Sequence, residues 1–273
     1  MNKVIMAVGA HADDIELNAG GTLLKYRDKG YRVVYVMSTN NMSGGWSRVQ
    51  PDGSVRVDSP AIAEMMKQRK LEAAEAAKIL GTVPVHLDHP QRHYNGNRKT
   101  NNTVCWGREC AELRYGCALP EGVPPDVPTI VTAHEDRKAC ATLSELILKS
   151  SPEWIMTHGL VQQDIEHSAT ALLVLKSYRE AVSRGHEGGL LFWREGHRYL
   201  GESNARWDVS VDITDYMEKK IDLISVHKCQ IPFPRKPGFS PRAVNLRWGK
   251  ESGCGAAEAY LLVYAGKSRR MLS

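Results

Sequence analysis

Residues Val4-Ile5-Met6-Ala7-Val8 form an unbroken apolar run that leads, through Gly9-Ala10, into His11-Ala12-Asp13-Asp14-Ile15-Glu16. A short run that is apolar on both alternations predicts a strand covered on both faces, the habit of parallel sheets. A helix through Gly20-Gly21-Thr22-Leu23-Leu24-Lys25-Tyr26 follows, Gly30 closes it, and Arg32–Met37 reads as a second strand. This is one βαβ unit. The His-x-Asp-Asp group then falls at the carboxyl end of the first strand, the edge at which open α/β sheets bind ligands.

The same alternation continues. Residues 40–59 are polar and rich in Gly and Ser, and read as a loop at that edge. Ser59-Pro60 is a cap-and-proline start for an amphipathic helix from about Ala61 to Leu80, ended by Gly81. Val83–Leu87 reads as a third strand, residues 89–128 as irregular, and Thr129–Thr132 as a short strand. Asp136–Ser150 reads as a helix, Pro152–His158 as a core strand and His167–Ser183 as a helix. Trp207–Asp212 alternates as a strand, Thr214 to about His227 is helical, residues 231–237 are a Pro-rich basic loop, and Ala259–Tyr264 is a last strand. The expected fold is α/β: a Rossmann-like, mostly parallel sheet flanked by helices. It forms a single domain over 1–273, with a core of about 1–198 and a small C-terminal cap or sheet extension over about 199–273.

Composition excludes several functions. No stretch approaches the ~18 apolar residues of a membrane span. The net charge of +5 is dispersed, which argues against a nucleic-acid footprint. Met1-Asn2-Lys3 leads directly into the first strand, so the expected location is the cytoplasm. The spacing of Cys105, Cys110 and Cys117 is not that of a zinc ribbon, and all six cysteines read as free thiols. No Gly-x-Gly-x-x-Gly follows the first strand, which argues against a dinucleotide site. Trp46, Trp106 and Trp193 lie in or beside loops and read as packing residues ahead of sugar-stacking ones.

A hydrolytic metal site needs about three N and O ligands and an open position for water. His11 and Asp14 can supply two, and the neighbouring Asp13 points elsewhere, free to serve as a base. The third must come from another strand end, and Asp164-Ile165-Glu166-His167 is the best placed, since it follows the strand ending at His158.

These segments resemble the metal-dependent de-N-acetylases of the LmbE-like and PIG-L family. The family's strand ending in Ala-His-Pro-Asp-Asp appears as Ala10-His11-Ala12-Asp13-Asp14, and its Gly-Gly-Thr helix start as Gly20-Gly21-Thr22. Its Arg-x-x-Glu-x-x-x-Ala helix appears as Arg69 to Ala76, its His-x-Ser-Gln as His227-Lys228-Cys229-Gln230, and its Gly-x-Glu-x-aromatic stretch as Gly255 to Tyr260 with one residue added. The resemblance implies Zn²⁺, or another divalent metal such as Fe²⁺, held by His11, Asp14 and His167. It implies Asp13 as general base, His227 as an active-site group and Arg69 as a substrate-binding residue. Glu166 would orient ligands, while Glu258 and Gln230 would be structural. Asp164 replaces the family's oxyanion-stabilising His, and a carboxylate there repels a developing anion unless protonated. The implied activity is removal of the N-acetyl group from an N-acetylglucosamine-like sugar or conjugate. An amidase acting on another N-acyl substrate, or an impaired sugar- or metabolite-binding protein, are the alternatives. The expected partner is a small-molecule or glycoconjugate substrate, with homo-oligomerisation left open.

Overall fold

The computed structural model describes residues 3–42, 44–58, 60–91, 127–162, 164–195, 207–231 and 240–267. Its centre is a seven-stranded sheet built from β1 (Val4–Gly9), β2 (Arg32–Thr39), β5 (Pro84–His89), β6 (Trp154–Thr157), β7 (Gly189–Trp193), β8 (Val209–Asp212) and β9 (Ala257–Tyr264). The spatial order is β5-β2-β1-β6-β7-β9-β8. The first five strands in that order are parallel, and β9 and β8 extend the sheet antiparallel. The parallel strands are doubly wound, with the chain reversing direction across the sheet between β1 and β6. That crevice, beyond the carboxyl ends of the strands, is the topological switch point.

The two faces of β1 explain its apolar run. Ile5 and Ala7 pack into one core with α1 (Asp14–Asp28), α2 (Ile62–Ile79) and α6 (Met217–Ser225). Val4, Met6 and Val8 pack into the other with α4 (Arg137–Ser150) and α5 (Ile165–Ser183). Both faces of the strand are therefore dry, and no alternation survives in the sequence.

Four local differences from the sequence reading have physical causes. Within the expected loop 40–59, β3 (Trp46–Val49) and β4 (Val55–Asp58) form a separate antiparallel hairpin, turned at Asp52-Gly53. Thr129–Thr132 is no strand, because Ile130–Ala133 is one helical turn, α3. Gly189–Trp193 is a core strand, so Trp193 is buried in the sheet rather than beside a loop. Pro241–Ser252 is a helix, α7, capped by the Ser240 hydroxyl, which accepts the Ala243 amide. The N-cap of α2 is Ala61, and Ser59 lies outside the described residues. Cys140, Cys229 and Cys254 are free, whereas Cys105, Cys110 and Cys117, with Trp106, lie outside the described residues. No helix among the described residues is long and apolar enough to cross a membrane.

The Gly20-Gly21-Thr22 and Gly255–Tyr260 segments meet. Glu258 of β9 accepts the amides of Gly21 and Thr22 at 2.9 and 2.8 Å and receives Lys220 of α6 at 2.5 Å, all buried. A Cβ on Gly21 would lie 2.8 Å from Ile213, so the glycine allows α1 to approach the sheet extension this closely.

Candidate metal centre

Four strand ends and two helices deliver the site. His11 follows β1, Gln91 follows β5, His158 follows β6 and Glu195 follows β7. Asp14 and Glu16 open α1, and Glu166 and His167 open α5. The turn carrying His11 to Asp14 is locked from within by the His11 amide, which donates to Asp14 Oδ2 at 2.6 Å. It is locked from outside by the end of β2. Thr39 Oγ1 donates to the Ala10 carbonyl at 2.6 Å, and Asn41 Oδ1 accepts the Ala12 amide at 2.8 Å.

The structure brings His11, Asp14 and His167 together, with ligand atoms within 4.8 Å of one another and all three residues buried. His11 Nε2 donates to Glu166 Oε2 at 2.7 Å, and His167 Nδ1 donates to Glu195 Oε2 at 2.9 Å. Each ring therefore spends one N–H on a carboxylate. The remaining nitrogens, His11 Nδ1 and His167 Nε2, face each other at 3.2 Å beside the Asp14 carboxylate. Two lone pairs and a carboxylate pointed at one another need a cation between them. Burial lowers the His11 pKa, but Asp14 and Glu166 outweigh it and hold it at about 9. His167 is likewise raised against its burial by Asp14 and Glu195. Asp14 is held well below the usual carboxylate range because the surrounding imidazoles outweigh its desolvation. A donor set of two imidazoles and a carboxylate, each imidazole backed by a second carboxylate, fits a divalent cation.

Asp13 stands at the head of α1 with φ at 119°, and its side chain is 16% exposed. Burial and the neighbouring Asp14 raise its pKa, while Arg69 partly offsets them. Arg69, 4% exposed, is turned inward: it donates to the Ala12 carbonyl at 2.8 Å and lies 3.5 Å from Asp13. Glu72, on the same face of α2, accepts the Cys229 amide at 3.0 Å and the Cys229 thiol at 2.9 Å. One helix face thus clamps both the His-x-Asp-Asp turn and the His227–Gln230 turn. His227 is fully buried, 3.2 Å from Glu16, which also accepts the Tyr35 hydroxyl at 2.8 Å. Glu16 and Asp13 raise the His227 pKa against its burial. Asp164 is the N-cap of α5 and accepts the Glu166 amide at 2.9 Å.

Sequence reading missed Glu195, Gln91 and the role of Glu16. Gln91 donates to Glu166 Oε2 at 2.9 Å, and Glu195 joins His158 Nδ1 at 2.5 Å to His167. The available signal for Glu195 was its position two residues beyond an apolar pentapeptide, at the same edge as His11.

Comparison with known proteins comes from both sequence and structure. The family described as PIG-L, GlcNAc-PI de-N-acetylase, matches residues 6–178. The diacetylchitobiose deacetylase of Thermococcus kodakarensis is 24% identical over 265 residues, 96% of this chain and 83% of that protein. The N,N'-diacetylchitobiose deacetylase of Pyrococcus horikoshii superposes with a TM-score of 0.63 at 20% identity, covering 96% of this chain and 84% of that one. The 4-carboxy-2-hydroxymuconate hydratase of Pseudomonas putida KT2440 gives 0.63 at 16% identity, covering 98% and 99%. At such identities these superpositions establish the fold alone, and two different reactions are named on it.

Proposed function

Because this chain belongs to the PIG-L family of GlcNAc-PI de-N-acetylases, we propose that it is a metal-dependent hydrolase that removes the N-acetyl group from an N-acetylglucosamine-like sugar or sugar conjugate. The observation that carries the reading is the convergence of His11 Nδ1, His167 Nε2 and Asp14 beside a partly exposed Asp13. The deacetylase relatives of Thermococcus and Pyrococcus support the N-acetyl sugar as substrate.

His11, Asp14 and His167 would hold the metal, with Zn²⁺ the first choice for a ligand set of this kind. When bound, such a cation polarises the amide carbonyl and lowers the pKa of a water to ~7. The remaining chemistry belongs to side chains. Asp13 takes the proton of the attacking water and returns it to the departing amine nitrogen. A pKa raised above the ordinary carboxylate value suits a group that must release a proton as well as accept one. Arg69 holds the Ala12–Asp13 backbone and biases the Asp13 charge rather than reaching outward. His227, buried against Glu16, acts on Asp13 through its charge. Asp164 serves α5 as its cap, so the donor that the family's His would provide has no replacement in Asp164. That observation favours a second reading, a catalytically impaired protein that binds such a sugar or a related metabolite in the same site.

The test is metal analysis of purified protein, with amine and acetate release from N-acetylglucosaminides measured before and after chelation. Release that stops on chelation and returns with Zn²⁺ is expected. Metal-loaded protein that releases no amine from any N-acetylated sugar sinks the lead reading, and binding of such a sugar without release selects the second.

A further inference from the structure

We propose that Glu195 is a positioning residue of the metal centre, fixing His167 with its proton on Nδ1 and its lone pair on Nε2. The inference rests on the metal site proposed above and adds a residue from the far side of the switch point. An ionised carboxylate only accepts. Glu195 Oε2 lies 2.9 Å from His167 Nδ1, so that nitrogen must bring the proton. His158 gives an independent check on the arrangement. Its Nε2 lies 3.0 Å from the Ala10 amide, which can only donate, and 3.3 Å from Asp14 Oδ2; the closer amide contact favours the His158 proton on Nδ1, toward Glu195 Oε1 at 2.5 Å. One carboxylate thereby sets the tautomer of two stacked rings, whose centroids are 4.1 Å apart. The Trp193 indole N–H lies 3.4 Å from Oε1 and 3.3 Å from His158 Nδ1.

The same chain of contacts runs on to the other ligand. Glu195 holds His158, His158 holds the Ala10 amide, and Ala10 immediately precedes His11. Glu195 is 1% exposed and sits beyond β7, and both rings it meets are buried. Replacing it with Gln offers an N–H to one ring. The ring that meets the amide N–H must reverse its tautomer, which either turns an N–H of His167 toward the metal position or breaks the His158 contact with the Ala10 amide beside His11.

The experiment measures Zn²⁺ affinity by chelator competition for wild type, Glu195→Gln and His167→Ala. It also measures ¹⁵N shifts of the histidine rings in zinc-loaded wild type. Glu195→Gln is expected to bind Zn²⁺ about 10–100-fold more weakly. The ¹⁵N shifts are expected to report metal on Nε2 of His167 and a proton on its Nδ1. A folded Glu195→Gln protein with wild-type affinity overturns the proposal, as does metal on Nδ1. If that variant does not fold, the wild-type ¹⁵N shifts alone decide. Wild-type protein that takes up no Zn²⁺, or a His167→Ala variant that binds as well as wild type, overturns the metal centre itself and this proposal with it.

Discussion

Asp13 carries a backbone conformation that favours glycine, with φ at 119°. Strain of this kind costs about 1–3 kcal/mol and persists only where the surroundings over-determine it. Here the surroundings are named: Asn41 holds the Ala12 amide and Arg69 holds the Ala12 carbonyl. Asn tolerates left-handed backbone nearly as well as Asp. Asp13→Asn is therefore expected to fold and bind metal as wild type does, while kcat falls about 10²–10⁴-fold, the usual worth of a general base. Unchanged kcat in a metal-loaded Asp13→Asn enzyme removes Asp13 from the chemistry. At this scale the sequence was uneven. The convergence of His11, Asp14 and His167 was legible because such donor residues are of few types and here follow strand ends. The inward turn of Arg69 was not, because an amphipathic helix shows which face is buried and not what it is buried against.

Among the elements, the contacts of α1 with α6 and β9 matter most for stability. Glu258 answers two backbone amides of α1, and Lys220 neutralises it with both side chains out of water. Burial depresses the Lys220 pKa, and Glu258 restores part of it. Lys220→Met leaves the Glu258 charge buried without its cation, and a loss of about 3–5 kcal/mol is expected in denaturant unfolding. A loss below about 1 kcal/mol would mean that the Glu258 amide bonds suffice alone. β1, β2 and β6 were readable because each is built on an apolar run. β7 escaped because Gly-Leu-Leu-Phe-Trp contains no β-branched residue, and Glu195 escaped with it. The hairpin β3–β4 escaped because its strands are short, polar and partly exposed. The Asp164 cap was legible as an acidic residue just ahead of a helix, but the family pattern drew the same residue toward catalysis.

For the molecule as a whole, the metal centre ties β1 to α5 across the switch point, so binding must raise thermal stability. Zn²⁺ at about 1,000 times its Kd adds ~4 kcal/mol, or roughly 8 °C in Tm for a chain of this size. Protons oppose it. Burial opposes protonation of His11 and His167, but the neighbouring carboxylates raise both pKa values, His11 to about 9, and Zn²⁺ must displace the protons they carry. The apparent affinity therefore rises with pH toward 9 and falls about tenfold per unit below it for each proton displaced. Calorimetric scans with and without Zn²⁺ at a series of pH values should show the gain in Tm shrinking by about 3 °C per unit of acidification. A gain that is flat between pH 6 and 9 would contradict the protonated resting site. The doubly wound order was legible from the alternation of strands and helices. Which strand ends meet was not, since that depends on spatial order.

The contacts of His11 with His167 span 156 positions, and those of His158 with Glu195 span 37. Contacts this distant in the chain are late events in folding, because long loops must close before they form. No fragment that ends before β7 contains Glu195, even though it can contain every proposed ligand. On a ribosome, the cluster can close only after the fifth parallel strand has been made, so metal capture would come late in synthesis and would mark a sheet already assembled.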